Sequence, residues 1–237
     1  MATYKIQDLE EKVIAGEFLS YEEGLFLYQN AELNALMFLA NRIRKQKHPE
    51  GEVGWIIDRN VNYTNICSSG CKFCNFYTGK NASRAYITKD EEYDKKIVEL
   101  MALGGQQLLL QGGMHPDLGL DYYTDLFSSL KGRHPDVKLH ALGPPEIHHI
   151  ATIEGISYAD TLQALMDAGL DSLPGAGAEI LVDRVRLKLS KVKCNSDQWL
   201  DVMREAHKKG LTTSATMMFG HVEEPHERIE HLIRLRE

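Results

Sequence analysis

Apolar residues recur at helical spacing through residues 7–47, and beyond them short apolar runs alternate with amphipathic stretches. In the first segment Ser20-x-x-Glu23 has the form of a capping box that opens a second helix. Leu33, Leu36, Met37, Ala40 and Ile43 then follow at helical spacing and predict one buried stripe. Pro49, Gly51 and Gly54 close this segment and lead into a strand over 55–61. Thr88-x-x-Glu91 predicts the cap of a helix carrying Ile97, Val98, Leu100 and Met101, which Gly104-Gly105 stops. Residues 106–111, QQLLLQ, read as a strand of the kind a parallel sheet buries on both faces. A helix at 121–131 and a strand at 137–142 come next. Ser157 opens a helix carrying Leu162, Leu165 and Met166, and a strand follows at 170–173. Helical segments at 179–189 and 197–209, a strand at 212–219 and a helix from Pro225 complete the pattern.

Repeated strand–helix units with short connections predict an α/β fold built on a parallel sheet. Right-handed crossovers curl such a sheet toward a TIM-like barrel and gather the C-terminal loops of its strands on one face. We therefore expect an N-terminal helical cap over residues 1–50 and a barrel core over 51–237. With five strands the barrel is partial, and the stop at Glu237 suggests truncation before a last strand.

Composition narrows the setting. An apolar content of 43% and a charged content of 26% are those of an ordinary globular protein. The formal net charge of −7 argues against a general nucleic-acid or anionic-membrane surface. The chain has no membrane-length apolar run, and its N-terminus lacks a secretory or organellar targeting pattern, which makes the cytoplasm the expected compartment.

The chemistry concentrates at residues 61–77, VNYTNICSSGCKFCNFY. Cys67, Cys71 and Cys74, three of the four cysteines, stand in a C-x3-C-x2-C spacing on a loop leaving the first strand. Three thiolates on one short loop can hold three irons of a [4Fe-4S] cube and leave the fourth open, the mark of a reactive site. A structural zinc site is the alternative, but zinc takes four protein ligands as a rule, and Cys194 is far downstream in KVKCNS, where we read it as non-ligating. A disulfide fits a reducing cytosol poorly. The spacing is the signature of radical S-adenosylmethionine (SAM) enzymes, and Phe73 before the last cysteine resembles that pattern too.

On that resemblance the other strand-end loops would hold SAM. Gly112 and Gly113 in QGGMHP resemble the loop that receives the methionine ammonium, with Met114 where an acidic residue often stands; read alone they make a tight turn. Glu179 in PGAGAEI would accept from a ribose hydroxyl, and Arg186 or Arg184 would pair with the SAM carboxylate; both arginines read equally well as surface helix charges. Thr216, Met218, Gly220 and Glu223 occupy the places of a GxIxGxxE adenine-contacting motif, departing from it at the first two, and Met217 and Met218 alone would suggest core packing. His115, Glu146 in GPPEI and His221 lie on loops of the same face as candidate catalytic groups that position substrate or move protons.

The phrases RNVNYTNIC, GCKFCNFY, LLLQGGMHPDLGLDYY, GPPEI, AGLDSLPGAGAEIL and TTSATMMFGHVE carry a closer resemblance. Together they resemble the cyclic dehypoxanthinyl futalosine synthase (dehypoxanthine futalosine cyclase) family of menaquinone biosynthesis. Related families are aminofutalosine synthase and the deazaflavin-forming subunits of the coenzyme F420 precursor synthase. The resemblance implies a radical SAM barrel of six strands, a [4Fe-4S] cluster and SAM as cofactors, and an external electron donor such as flavodoxin or ferredoxin. It implies a 5′-deoxyadenosyl radical that takes hydrogen from the ribose C4′ of dehypoxanthine futalosine, after which that carbon adds to the benzoate ring. Arg59 or Arg84 would then meet the benzoate.

Overall fold

The structure is a computed structural model that describes residues 4–237. The chain forms two compact units, Met1–Trp55 with Gly220–Glu237, and Ile56–Phe219. The N-terminal helices and the last helix fall in the first of these, and the five strands with their helices in the second. No helix among the described residues is long and apolar enough to cross a membrane.

In the larger unit five strands form one parallel sheet in sequential order: β1 (Asp58–Asn62), β2 (Gln107–Gln111), β3 (Lys138–Ala141), β4 (Ser172–Leu173) and β5 (Thr212–Thr213). Sequential parallel order with a helix after each strand is that of an open, partial TIM-like barrel. The strands are shorter than their apolar runs suggest, because several of those residues belong to the strand-end loops that build the site. Register separates the two faces of the sheet. Val61, Leu110 and Ala141 align on the covered face and are buried, whereas Asn60, Leu109 and His140 align on the other. QLLLQ is therefore not buried on both faces: Leu108 and Leu110 are, and Leu109 between them is half-buried on the open side. Asn62 and Gln111 share that open face at the strands' C-terminal ends.

The covering helices are α4 (Asp90–Ala102), α5 (Leu120–Arg133), α6 (Pro144–Glu154), α7 (Tyr158–Asp167), α8 (Asp183–Leu189) and α9 (Ser196–Lys208). They bury Ile97, Phe127, Ile147, Leu165 and Trp199 among others, each side chain contributing about 1.5–3 kcal/mol. The α7 cap is as expected, with Ser157 accepting from the Asp160 N–H. Thr88 does not cap α4: its hydroxyl donates to the Asn62 carbonyl at 2.6 Å, and Lys89 takes the cap position. Helix α6 was not evident from GPPEI, whose two prolines read as a loop. Pro144 is in fact its first residue, where a missing N–H costs nothing, and Gly155 ends it at φ 67°.

The smaller unit packs α1 (Ile6–Ile14), α2 (Tyr21–Asn30), α3 (Leu33–Lys47) and α10 (Pro225–Arg236). The capping box at Ser20 and Glu23 is present, and Glu23 also receives the Lys12 ammonium at 2.7 Å. Ser20→Ala should cost about 1 kcal/mol in urea denaturation, since it removes the hydroxyl that accepts from the Glu23 N–H while the Ser20 N–H keeps its bond to the Glu23 carboxylate. The buried stripe expected on α3 is narrower than its periodicity suggests. Leu39 is buried and Leu36 and Ile43 half-buried, but Leu33 and Met37 are exposed, because α3 packs chiefly on α1.

Candidate active site

The cysteine loop leaves β1 and is tied down along its length. The Cys67 N–H donates to Thr78 O at 3.1 Å and the Ser68 N–H to Met114 O at 3.0 Å. The Lys72 N–H donates to Leu189 O at 2.9 Å, and the Ser190 hydroxyl to Ser69 O at 3.2 Å. Within this frame the Ser69 hydroxyl stands 3.1 Å from Cys67 Sγ and 3.2 Å from Cys71 Sγ, so one small side chain bridges the two sulfurs. The Cys74 N–H reaches Cys71 O at 3.1 Å, which closes the second half of the motif onto the first. Backbone N–H groups of Ser69 and Met114 point at Cys67 Sγ, at 3.5 and 3.3 Å.

All four cysteines are free. Among the described residues no group of three His, Cys, Asp or Glu side chains closes around a single metal ion. Three unpaired thiols spread over one pinned loop, with amide donors on a sulfur, suit a cube in which each thiolate would ligate a different iron. Cys71 and Cys74 also border a cavity of about 480 Å³ with Lys72, Tyr77 and Arg84.

The glycine turn after β2 lies directly against this loop. The Gly113 N–H donates to Thr64 O at 2.9 Å, and a Cβ on Gly113 would sit 2.0 Å from Ile66 O and 2.8 Å from Cys67 Cβ. Only glycine permits this approach. His115 is buried beside the turn, and its Nδ1 accepts from the Asp117 N–H at 3.1 Å while its carbonyl accepts from His149. Burial holds its pKa below the usual histidine value, with Lys80 and His149 adding to that and Asp117 opposing it. The structure thus ties His115 into the turn.

Glu146 sits in the first turn of α6 and faces a cavity of about 260 Å³ lined by Asn62, Phe76, Gln111, Gly112 and Lys193 among others. Its Oε2 is buried with no hydrogen-bond partner. Burial raises its pKa to about 7, against the pull of Lys193, and Glu179 adds to the rise. The folded chain therefore holds a proton that the unfolded chain releases between about pH 4.5 and 7, and stability falls as pH rises through that window. Glu146→Gln should remove the penalty, stabilising the chain by on the order of 2 kcal/mol at pH 8 and by little at pH 4; urea titrations at the two pH values check this.

Glu179 adopts φ 44°, a left-handed conformation that costs a non-glycine residue energy. That backbone lets its carbonyl accept from the Met218 N–H at 2.9 Å while its Oε1 meets Lys193 Nζ at 2.8 Å. Lys193 is the residue the sequence reading missed. Burial works against its charge, but Glu179, Cys71 and Glu146 together hold its pKa above the usual lysine value. Its ammonium also lies 5.5 Å from the centre of the Phe73 ring. Arg186 is buried, and its guanidinium donates to the carbonyls of Gly177, Ala178 and Cys194 at 2.6–3.1 Å. It clamps the turn after β4 to the α8–α9 loop, so the structure gives it backbone partners where the sequence suggested a ligand carboxylate. Burial pushes the Cys194 thiol up to about 11, with Arg186 and Lys193 opposing.

The residues of the expected adenine motif divide between the two units. Thr216 donates its hydroxyl to Gly175 O at 2.7 Å, and Met218 packs on the cluster of Ile180, Val185 and Leu189. In the smaller unit Glu223 accepts from the N–H groups of Gly220 and His221, at 2.6 and 3.0 Å, and pairs with Arg228. His221 Nδ1 accepts from the Val222 N–H. Arg59 pairs with Glu99 and Arg84 reaches Tyr77 O and Thr78 Oγ1, neither of them on the cavity that holds Glu146.

The chain is 41% identical over 98% of its length to a cyclic dehypoxanthine futalosine synthase of Halalkalibacterium halodurans, of which it spans 63%. It is 40% identical over 96% of its length to an aminodeoxyfutalosine synthase of Thermus thermophilus, spanning 61% of that protein. Its fold matches the crystal structure of methylornithine synthase with a TM-score of 0.71 at 19% identity, over 96% of this chain and 64% of the other. The sequence model of the Radical SAM superfamily matches residues 61–235, beginning just before the cysteine loop and taking in every strand-end loop described above, and the chain belongs to that superfamily.

Proposed function

We propose that this chain acts as a cyclic dehypoxanthine futalosine synthase, joining the sugar C4′ of dehypoxanthine futalosine to its benzoate ring with loss of two hydrogens. The observation that carries the reading is the pinned loop of three free thiols against a glycine turn, in a chain 41% identical to such a synthase over nearly its whole length. When bound, a [4Fe-4S] cluster and SAM supply a low-potential electron and a hydrogen-abstracting radical. Cys67, Cys71 and Cys74 would hold the cluster, and the N–H groups on Cys67 Sγ would draw charge from that sulfur. The glycine turn, which the missing Cβ of Gly113 lets lie against Ile66 and Cys67, would offer its carbonyls to the methionine ammonium. Phe76 and Pro145 would shield the cavity from water, and Glu146 is the candidate proton acceptor that faces it. A one-electron donor such as flavodoxin or ferredoxin is part of the proposal.

An aminodeoxyfutalosine synthase is the second reading, favoured by nearly equal identity to that relative. An anaerobic assay of the cluster-reconstituted chain with SAM and a reductant separates the two. Dehypoxanthine futalosine should stimulate release of 5′-deoxyadenosine and give a product two hydrogens lighter by mass spectrometry. SAM cleavage that this compound does not stimulate would overturn the cyclase reading.

A further inference from the structure

Two carboxylate oxygens in the larger unit, Oε2 of Glu146 and Oε2 of Glu179, are buried without a hydrogen-bond partner, an arrangement that folding does not favour unless something else supplies a donor. The two differ in their surroundings. Glu179 borders a void of about 10 Å³ with Phe73, Arg186 and Lys193, room for a single water. Glu146 faces about 260 Å³, far more than one water fills.

The chemistry of that larger cavity selects its occupant. Lys193 lines it, so a cationic group entering beside Glu146 would meet a like charge. An anionic group drawn by Lys193 would meet the Glu146 carboxyl in turn. A neutral polyol satisfies both: its O–H groups donate to Glu146, and its oxygens accept from Lys193 and the amide of Gln111. Phe76 and Pro145 offer apolar surface to the C–H face of a sugar ring. The position is anchored, since Glu146 is in the first turn of a helix and Leu142, at the end of β3, is held at φ 60°.

We propose that Glu146 is the hydroxyl acceptor of a pentose subsite, taking one or two ring hydroxyls of a bound sugar while Lys193 donates to the same ring. The inference deepens the reading above and rests on it for the choice of probe. Two ligands carry such a ring, the substrate and SAM, and the test distinguishes them.

Equilibrium binding of dehypoxanthine futalosine and of SAM is measured on the cluster-reconstituted chain, on Glu146→Gln and on Glu146→Leu. Glu146→Gln keeps the shape of the side chain, and thermal melts verify that each variant folds. One of the two ligands should lose about tenfold to a hundredfold in affinity in Glu146→Leu, and less in Glu146→Gln, while the other binds within about twofold of wild type. The ligand that loses affinity identifies whose ring the subsite takes. An analogue of that ligand lacking the ring hydroxyls should bind wild type and Glu146→Leu alike; if it still loses affinity in the variant, Glu146 acts on the fold and the inference is overturned. Unchanged SAM affinity together with no variant-dependent loss for dehypoxanthine futalosine overturns it as well. Wild type that binds SAM but fails to convert dehypoxanthine futalosine counts against the cyclase reading separately, because the SAM comparison stands on its own.

Discussion

Replacing Cys67, Cys71 or Cys74 by alanine should leave a chain that folds but retains neither iron nor sulfide, and its SAM cleavage should fall to background. Each of the three carries a free thiol on a loop whose backbone is fixed from outside, by Thr78, Met114, Leu189 and Ser190, and none of those bonds uses a sulfur. The loop therefore survives the loss of one thiol, and a cube left with two protein ligands is readily lost. Cys194→Ala is the informative control. Its thiol is buried, held in the protonated form and 3.6 Å from an Arg186 nitrogen, so the variant should lose some stability yet keep about four irons per chain. Iron and sulfide analysis with electron paramagnetic resonance of the reduced protein reads both results. Retained iron in the triple variant Cys67→Ala, Cys71→Ala, Cys74→Ala would refute the assignment, and stoichiometric zinc lost on Cys194→Ala would replace it with a four-thiolate zinc site.

Gly113→Ala should have the second largest effect, though no side chain is removed. The added methyl carbon would lie 2.0 Å from Ile66 O and 2.6 Å from its carbonyl carbon, so backbone must move, and the nearest backbone runs directly into Cys67. The expected cost is at least about 2–3 kcal/mol in urea denaturation, accompanied by weaker cluster retention. Gly132→Ala in α5 serves as the comparison, because nothing lies within 4 Å of its Cβ position, and helix propensity alone predicts a slight gain. Equal stability and equal iron content in the two variants would show that the glycine turn and the cysteine loop are not mechanically joined.

Much of this site could be read from the chain itself because its signals are local. Three cysteines within one loop, a glycine pair at a strand end and a capping box at Ser20 each depend on residues a few positions apart. The alternation of strands and helices likewise placed the sheet, although the runs of apolar residues overstated strand length where they continue into loops. What escaped notice depends on long-range packing. Lys193 lies between α8 and α9 among other lysines and looks like a surface charge until the fold brings it against Glu179 and Phe73. Arg186 and His115 offer the same side chains to a ligand or to the chain, and only the structure shows the backbone partners they take. The prolines of GPPEI masked a helix start, since a proline reads alike in a turn and at the first helical position.

The hydroxyl of Ser69 and the outside ties on the cysteine loop bear on how a cofactor is acquired. In proteins whose metal site forms only on metal binding, uptake is coupled to folding and buries a large surface. Here the loop is already hydrogen-bonded to three other segments, and two of its sulfurs are gathered by one side chain. Cluster insertion would then order little additional chain, and calorimetry should record a small heat-capacity change alongside unchanged circular dichroism. An assembly factor handing over a preformed cube would meet a rigid receptor, with transfer governed by ligand exchange at sulfur and not by the rate at which the polypeptide rearranges.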